Sequence, residues 1–264
     1  MEINNIYCGD CVKLAQEIND NSIQMVVCSP PYAMQRAALY GGIAEQDYPQ
    51  WTVTWMESLR PKLSEDGSIF IVIRENIRNG EISDYVLRTR LAIRDAGWIE
   101  PETIIWHKPD APPLGNNKRP RRVWEYILWY SQSRSPYCDL KACGNKKSTR
   151  VGGFAGSDRF GEGGSSPIAA NQHRELTSGT SRISDLLTVT ISSMDRGIKH
   201  PAMYPRGVPN FLIQTFSEPG DLVLDPFCGS GQTCLEAAGL GRKFLGFDLK
   251  EEYVSLTKQR LADF

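Results

Sequence analysis

Residues 221–233 read DLVLDPFCGSGQT, and their pattern predicts how the last part of the chain folds. The apolar run Asp221–Asp225 is typical of a buried strand, and a glycine-rich turn separates it from a predicted helix, Thr233–Leu240. A second predicted strand, Lys243–Phe247, ends at Asp248. Strand, glycine turn, helix, strand and acid in this order predict the nucleotide-binding half of an α/β fold.

The residues of this turn indicate which kind of nucleotide-like ligand it can bind. Its glycines allow backbone N–H groups to approach a ligand closely. A dinucleotide fingerprint would need a third glycine where Cys234 stands, and the sequence contains no Gly-Lys-Ser/Thr phosphate loop. Asp225 would repel a pyrophosphate and attract an ammonium or sulfonium group. We therefore predict S-adenosylmethionine as the cofactor, with Asp248 at its ribose hydroxyls; the alternative is a plain αβ turn without a ligand.

A second informative stretch, Ser29-Pro30-Pro31-Tyr32, directly follows a predicted strand, Gln24–Cys28. Proline cannot donate to a sheet and holds the residue before it extended, so the strand must end in a stiff shelf of carbonyl acceptors. Ligands bind at the carboxyl ends of strands in open α/β sheets. The shelf therefore suits a flat substrate that carries an amino group; the alternative is a Pro-Pro turn or a polyproline recognition segment.

The composition indicates a soluble globular protein, since 41% of the 264 residues are hydrophobic and 23% are charged. This length fits one α/β domain with an insertion. No apolar run is long enough to span a membrane, and the opening MEINN does not resemble a signal peptide, so we expect a cytoplasmic protein. Seven scattered cysteines predict free thiols in a reducing compartment. Cys8 and Cys11 have the spacing of half a metal site, but no second pair matches them, so no metal is predicted.

The charge is unevenly distributed along the chain. Residues 110–190 contain 12 Lys and Arg against 7 Asp and Glu, although the whole chain has a formal net charge of −1. Within this region, Cys143–Ser184 is rich in Gly and Ser and can bury little apolar surface by itself. We predict a polyanion-binding insertion that becomes ordered on its partner; the alternative is a solvated loop.

Hydrophobic periodicity predicts the other elements. The predicted helices are Cys11–Ile18, Tyr48–Leu59, Glu81–Ala96, Pro209–Phe216 and Glu251–Ala262. The predicted strands are Ile3–Tyr7, Ser68–Ile73, Trp98–Trp106 and Val123–Tyr130. Ala33–Gln46, which has no firm period, is predicted to be a mobile loop over the site.

The two informative stretches together resemble the motifs of amino-methylating DNA methyltransferases. Residues 225–231 resemble their cofactor motif and residues 29–32 their catalytic motif, in the order of the permuted β class. The resemblance implies a Rossmann-like, circularly permuted methyltransferase sheet with an inserted target-recognition region. It divides the chain into a catalytic half at 1–109, a β-hairpin strand with the basic Gly/Ser-rich insert at 110–190, and a cofactor-binding half at 191–264.

The resemblance also implies roles for cofactor residues outside the glycine turn. Asp10 matches the acid that contacts the adenine of the cofactor, and His200 and Pro201 lie in the segment that flanks its methionine part. The predicted cofactor-binding residues are Asp10, His200, Pro201, Asp225, Pro226, Phe227, Gly229, Ser230, Gly231, Thr233 and Asp248.

The predicted catalytic residues are Ser29, Pro30, Pro31 and Tyr32. An aromatic amine is a poor nucleophile because its lone pair is delocalised into the ring. The Ser29 hydroxyl and the Pro30 carbonyl can accept its two N–H groups, and these bonds strengthen as positive charge develops on nitrogen. Tyr32 can stack on the base, which contributes about 1–3 kcal/mol.

The resemblance implies double-stranded DNA as the partner, with the target base flipped out of the helix. Serine at position 29 is typical of members that methylate N4 of cytosine, whereas N6-adenine members usually carry aspartate; adenine is the alternative target. The resemblance also allows a homodimer. It further allows a cognate restriction endonuclease, as a functional rather than a physical partner. The predicted DNA contacts are Lys118, Arg119, Arg121 and Arg122.

Other functions are less consistent with the residues. A nicotinamide-dependent oxidoreductase lacks support because the third glycine is missing. C5-cytosine methylation needs a nucleophilic cysteine after proline, and none of the seven cysteines follows one. A non-catalytic DNA-binding protein would not need both motifs. Enzymes that methylate RNA or protein glutamine also use Pro-Pro-Tyr shelves, usually with Asn or Asp in the first position.

Overall fold

The strands and helices form one central sheet with helices on its two faces. The structure, a computed structural model, describes residues 1–34, 42–113, 118–144, 181–193 and 203–264. The strands are β1 Asn5–Cys8, β2 Ile23–Cys28, β3 Leu63–Ile73, β4 Ile77–Arg78, β5 Glu81–Ile82, β6 Thr103–His107, β7 Trp124–Ser131, β8 Leu186–Thr188, β9 Leu222–Asp225 and β10 Lys243–Asp248. The helices are α1 Cys11–Ala15, α2 Tyr48–Leu59, α3 Tyr85–Asp95, α4 Gly207–Phe216, α5 Gln232–Gly239 and α6 Glu251–Ala262.

Eight of the strands form the sheet in the order β1-β10-β9-β2-β3-β7-β6-β8. All neighbours are parallel except that β7 runs antiparallel to both β3 and β6. The α/β class with a Rossmann-like sheet is thus confirmed. Strands β2 and β9, far apart in sequence, are direct neighbours, with Met25 opposite Val223 and Val26 opposite Leu224.

The core lies on both faces of this sheet because its central strands are apolar on both sides, as buried parallel strands are. Along β3, Ile69 and Ile71 belong to the same buried cluster as Trp55 of α2. Phe70, which points the opposite way along the strand, packs against Phe216 of α4 with ring centroids 4.5 Å apart. The sheet is therefore covered by helices on each face.

One predicted helix begins later than expected. The structure places Glu81–Ile82 in a two-stranded hairpin with Ile77–Arg78, and α3 begins only at Tyr85. The reason is the turn between these strands, where Asn79 and Gly80 have φ of 50° and 84°. Positive φ at both central residues is the signature of a type I′ hairpin turn. Ile82, expected on the buried helix face, is 65% exposed.

Two predicted strands differ in their boundaries, and one strand was not predicted. The predicted strand Trp98–Trp106 is regular only over Thr103–His107, with one isolated bridge from Ile99 to Ser131, because Pro101 cannot donate to a ladder. Strand β3 begins five residues early, at Leu63. Strand β8 was not predicted, and it pairs with β6 through Leu186, Leu187 and Thr188.

The chain divides into two compact units, Met1–Asp139 with Ser184–Phe264, and Leu140–Ile183. The separate unit is narrower than the predicted insert at 110–190, because β7 pairs with β3 in the central sheet. Most of Cys143–Ser184 and part of Ala33–Gln46 lie outside the described residues. The assignment of target recognition to this region stays a prediction. Among the helices that the structure describes, none has the length and apolar character of a membrane span.

Candidate active site

The two informative stretches meet at one edge of the sheet. Because β2 and β9 are parallel neighbours, the shelf after β2 and the turn after β9 leave the sheet side by side. This is also where the chain order along the sheet reverses, which is where α/β folds bind ligands. A cavity of about 500 Å³ opens there, within the size range of small-molecule sites.

The cavity collects most of the predicted site residues. Those in its wall are Asp10, Ser29, Pro30, Pro31, Tyr32, Asp225, Pro226, Phe227, Gly229, Ser230 and Asp248. Gly231 and Thr233 directly follow the wall residues of the glycine turn. His200 and Pro201 lie outside the described residues. The four predicted DNA contacts do not line the cavity.

Asp225 is held at the end of β9 by three donors. Its carboxylate accepts hydrogen bonds from the Thr233 hydroxyl at 2.7 Å, the Phe227 amide at 3.0 Å and the Tyr204 hydroxyl at 3.2 Å. The side chain is only 2% exposed, and burial raises the pKa of Asp225 to about 7. A cation in the cavity would stabilise the ionised form, so this carboxylate suits an ammonium group.

The other two acids are also fixed by backbone donors. Asp248 accepts from the amides of Gly229 at 3.0 Å and Lys250 at 2.9 Å, and burial raises its pKa. Asp10 caps α1 by accepting from the amides of Val12 and Lys13, both at 3.1 Å. Asp248 thereby ties the glycine turn to β10, and both carboxylates line the cavity.

Helix α6 packs against the glycine turn and donates hydrogen bonds to two of its carbonyls. The Thr257 hydroxyl donates to the Gly229 carbonyl at 2.9 Å, and Arg260 donates to the Ser230 carbonyl. A Cβ on Gly231 would lie 2.3 Å from the Thr257 methyl carbon, so only glycine fits between the turn and this helix. Thr257 and Arg260 were not predicted to support the site, because they occupy ordinary positions in the helix sequence.

We expect Gly231→Ala to destabilise the protein by about 3–5 kcal/mol, because it combines left-handed backbone strain with the clash at Thr257. Gly97→Ala is the matched control: Gly97 has φ of 89°, and no described atom would lie within 4 Å of its Cβ. The control should lose only about 1–2 kcal/mol. Chemical denaturation measures both free energies of unfolding; equal losses would contradict the close packing of α6 on the turn.

The shelf is anchored by a contact that the sequence did not predict. The Tyr32 hydroxyl donates to Glu125 Oε2 at 2.8 Å, and Lys108 Nζ donates to Glu125 Oε1 at 2.5 Å. Burial and the Glu125 carboxylate raise the pKa of Tyr32 well above its ordinary value, so its phenol stays protonated. Glu125 and Lys108 also line the cavity. Glu125 was missed because its segment is typical of a core strand, and Lys108 because it lies in the loop after the predicted strand Trp98–Trp106.

The cavity fits S-adenosylmethionine in the chemistry of its wall. Two buried carboxylates, Asp225 and Asp248, suit a cationic amino-acid end and a pair of ribose hydroxyls. Trp51 and Phe227, with ring centroids 5.6 Å apart, offer apolar surface for a purine. The amide Nε2 of Gln232 is buried without a hydrogen-bond partner among the described residues, and this residue lines the same cavity.

The predicted DNA contacts lie on the Lys108–Val123 loop, and all four interact with other residues of the protein. Arg122 donates to the Glu75 carbonyl at 2.7 Å, Arg121 to the Ala111 carbonyl at 3.2 Å, and Arg119 to the Gly80 carbonyl. These bonds hold the loop against the end of β3 and the β4–β5 hairpin. Contact with DNA stays a prediction for all four residues.

Comparison with known proteins identifies the family. A family model described as DNA methylase matches residues 23–259. The Type II methyltransferase M.PvuII of Proteus hauseri is 29% identical over 281 aligned residues, which cover 98% of this chain and 84% of that protein. The solved structure of PvuII DNA methyltransferase (cytosine-N4-specific) has a TM-score of 0.74 and 26% identity, and the match covers 97% of this chain and 85% of that one.

A more distant solved structure shares the fold. It is described as a DNA modification methylase of Thermus thermophilus, complexed with S-adenosyl-L-methionine. Its TM-score is 0.62 and its identity 24%, and the match covers 98% of this chain and 93% of that one. The family match spans both the shelf after β2 and the glycine turn after β9. The chain therefore belongs to the DNA methylase family, as an S-adenosylmethionine-dependent amino-methyltransferase of the permuted β class.

Proposed function

We propose that the enzyme transfers a methyl group from S-adenosylmethionine to N4 of cytosine at specific sites in duplex DNA. The observation that carries this proposal is the cavity of about 500 Å³ lined by both Ser29–Tyr32 and Asp225–Ser230. Serine at position 29 and the likeness to a structure described as cytosine-N4-specific support cytosine over adenine.

The shelf acts on the amino group of the target base. The Ser29 hydroxyl and the Pro30 carbonyl accept its N–H groups and favour a pyramidal nitrogen with a localised lone pair. Both bonds strengthen as the nitrogen becomes positively charged, so they stabilise the transition state more than the ground state. Tyr32 stacks on the ring and holds its plane. Pro30 is buried. Its ring fixes its own φ angle and Pro31 restricts its ψ angle, so the acceptor carbonyl is held in place.

The opposite wall holds the cofactor, which supplies an electrophilic methyl group on sulfur when bound. Asp225 binds the ammonium group, oriented by Thr233 and Tyr204, and Asp248 binds the ribose hydroxyls. The Gly229–Gly231 turn has no side chain at its two glycines, so the ligand can approach its backbone closely. Holding amine and methyl donor in line contributes several of the roughly 7–11 kcal/mol available from orientation.

DNA reaches the cavity as a flipped nucleotide, because the amino group of a paired base is inaccessible inside the duplex. The proposed phosphate and base-edge contacts are made by the Lys108–Val123 loop, through Lys118, Arg119, Arg121 and Arg122, and by the Leu140–Ile183 unit. A protein that modifies cellular DNA in this way works in the cytoplasm, with a cognate restriction endonuclease as its functional partner and a homodimer as a further assembly.

Nucleoside analysis tests the proposed function. We expect plasmid DNA incubated with the protein and methyl-labelled S-adenosylmethionine to yield labelled N4-methylcytosine after digestion, and far less label in the same time with Ser29→Ala at equal concentration. Labelled N6-methyladenine would show that the target base is adenine, the alternative target. Tight DNA binding without any label would instead indicate a non-catalytic DNA-binding protein.

A further inference from the structure

Three side chains in the wall of the cavity, Tyr32, Glu125 and Lys108, are connected by hydrogen bonds. Tyr32 follows β2, Glu125 lies on β7 and Lys108 follows β6. Glu125 accepts the Tyr32 hydroxyl with one oxygen and the Lys108 ammonium with the other, at 2.8 and 2.5 Å. Lys108 Nζ also lies 3.9 Å from the centroid of the Trp106 ring, and Trp106 is directly opposite Glu125 on the neighbouring strand.

This contact bridges elements that are not neighbours in the sheet. Strand β3 separates β2 from β7, so Tyr32 reaches across roughly 10 Å of sheet to its partner. At the far side, the Lys108 amide donates to the Val123 carbonyl at 2.7 Å, which closes the base of the Lys108–Val123 loop. The shelf and this basic loop are thus joined through one carboxylate.

We propose that Glu125 is a positioning residue for methyl transfer: it locks the ring of Tyr32 for base stacking and couples the shelf to the basic loop. The role rests on the proposed function. A tyrosine side chain whose hydroxyl is not hydrogen-bonded can rotate about two bonds. A hydrogen bond from the hydroxyl to a carboxylate fixes the plane of the ring. A ring ordered before the base arrives loses less entropy on binding.

The charges around Glu125 favour a stable anchor. Lys108 compensates the carboxylate in a site where both side chains are largely buried, with 13% and 15% exposed. Hydrogen bonds to a charged acceptor are stronger than neutral ones. The phenol of Tyr32 remains protonated because burial and Glu125 raise its pKa, so it stays a donor. A phenylalanine at position 32 would stack but could not be anchored.

Two double-mutant cycles test this role, with Tyr32→Phe and Glu125→Leu as the single changes. Each single variant should lower kcat about 10- to 100-fold, the scale of small misplacements at a reacting centre, with affinity for S-adenosylmethionine within about twofold of wild type. The double variant should be no slower than the slower single variant. Glu125→Gln, which keeps an acceptor oxygen, should recover most of the lost rate.

The second cycle measures the same variants by denaturation in the absence of DNA. We expect the two changes to be coupled about tenfold in the unfolding equilibrium, as residues in contact are. The matched control is Glu57→Leu, since Glu57 likewise accepts from a cation and an aromatic donor, Arg60 at 2.6 Å and Trp98 at 2.8 Å, away from the cavity. This control should lower stability and leave kcat unchanged.

Each result bears on a different part of the proposal. Independent effects in the unfolding equilibrium would overturn the anchor itself. If the two changes are coupled in stability but their losses of kcat multiply in the double variant, Glu125 does not position Tyr32 for catalysis. A wild-type protein that transfers no methyl group to DNA, while the stability coupling persists, would refute the proposed function and leave Glu125 as a structural contact only.

Discussion

Ser29→Ala lowers kcat of DNA methylation by about 100-fold and leaves the affinity for S-adenosylmethionine within about twofold of wild type. The reason is that the hydroxyl is proposed to accept an N–H whose charge grows only in the transition state, and removing one such preorganised partner typically costs about 10²–10³ in kcat. The side chain lies on the shelf wall of the cavity rather than on the glycine turn. Single-turnover methylation and calorimetric cofactor titration separate the two effects.

Ser58→Ala is the matched control for this experiment. The Ser58 hydroxyl donates to the Trp55 carbonyl at 2.7 Å within α2, so the change removes a hydroxyl of equal size outside the cavity. The control should methylate DNA at the wild-type rate. Wild-type turnover in Ser29→Ala, or an equal loss in both variants, would refute the acceptor role of Ser29.

Asp225→Asn weakens S-adenosylmethionine binding by at least about tenfold at roughly pH 8 and reduces the dependence of this affinity on pH. In the free protein, burial raises the pKa of Asp225 to about 7. The carboxylate is therefore largely protonated at about pH 6 and ionised at about pH 8, and only the ionised form attracts an ammonium group. Wild-type affinity should consequently increase across this range, measured by calorimetry at constant ionic strength.

The same pKa predicts how the stability of the free protein changes with pH. A carboxyl group whose pKa is higher in the folded than in the unfolded state binds more protons when folded, between about pH 4 and 7. The stability it contributes at low pH is lost as the pH rises through about 7. Asp225→Asn should remove this loss, so that the variant becomes more stable than wild type above about pH 7 without cofactor.

Asp221→Asn controls for the change in net charge. Asp221 directly precedes β9, and it accepts from the Glu218 amide at 2.7 Å near the protein surface. This variant should keep the wild-type affinity and its pH dependence. An unchanged affinity in Asp225→Asn would show that the cofactor's cationic end binds elsewhere.

The local sequence pattern was sufficient to predict the site residues that lie at the ends of strands. An apolar run stopped by two prolines, and another followed by glycines, place Ser29 and Asp225 at strand termini. The hairpin turn at Asn79-Gly80 could also have been predicted, since Asn-Gly between short extended segments is a strong turn signal. It was not predicted because the helical pattern in the sequence begins at Glu81. Pro101 likewise marked the interruption of the strand before β6.

The contacts that complete the site could not be read locally. Tyr32 and Glu125 are 93 residues apart, and their meeting depends on β3 lying between β2 and β7. Thr257 and Arg260 occupy ordinary helical positions, and only the sheet order brings α6 against the glycine turn. Such residues become visible when topology determines which strand ends and helix faces are adjacent.

A crystal structure of the protein with S-adenosylhomocysteine, the product that remains after methyl transfer, tests the central claim most directly. We predict that the ligand fills the cavity between the two motifs, with its amino-acid end at Asp225, its ribose at Asp248 and its sulfur directed toward Ser29 and Pro30. A ligand bound at another surface, or a sulfur facing away from the Ser29–Tyr32 shelf, would contradict the account.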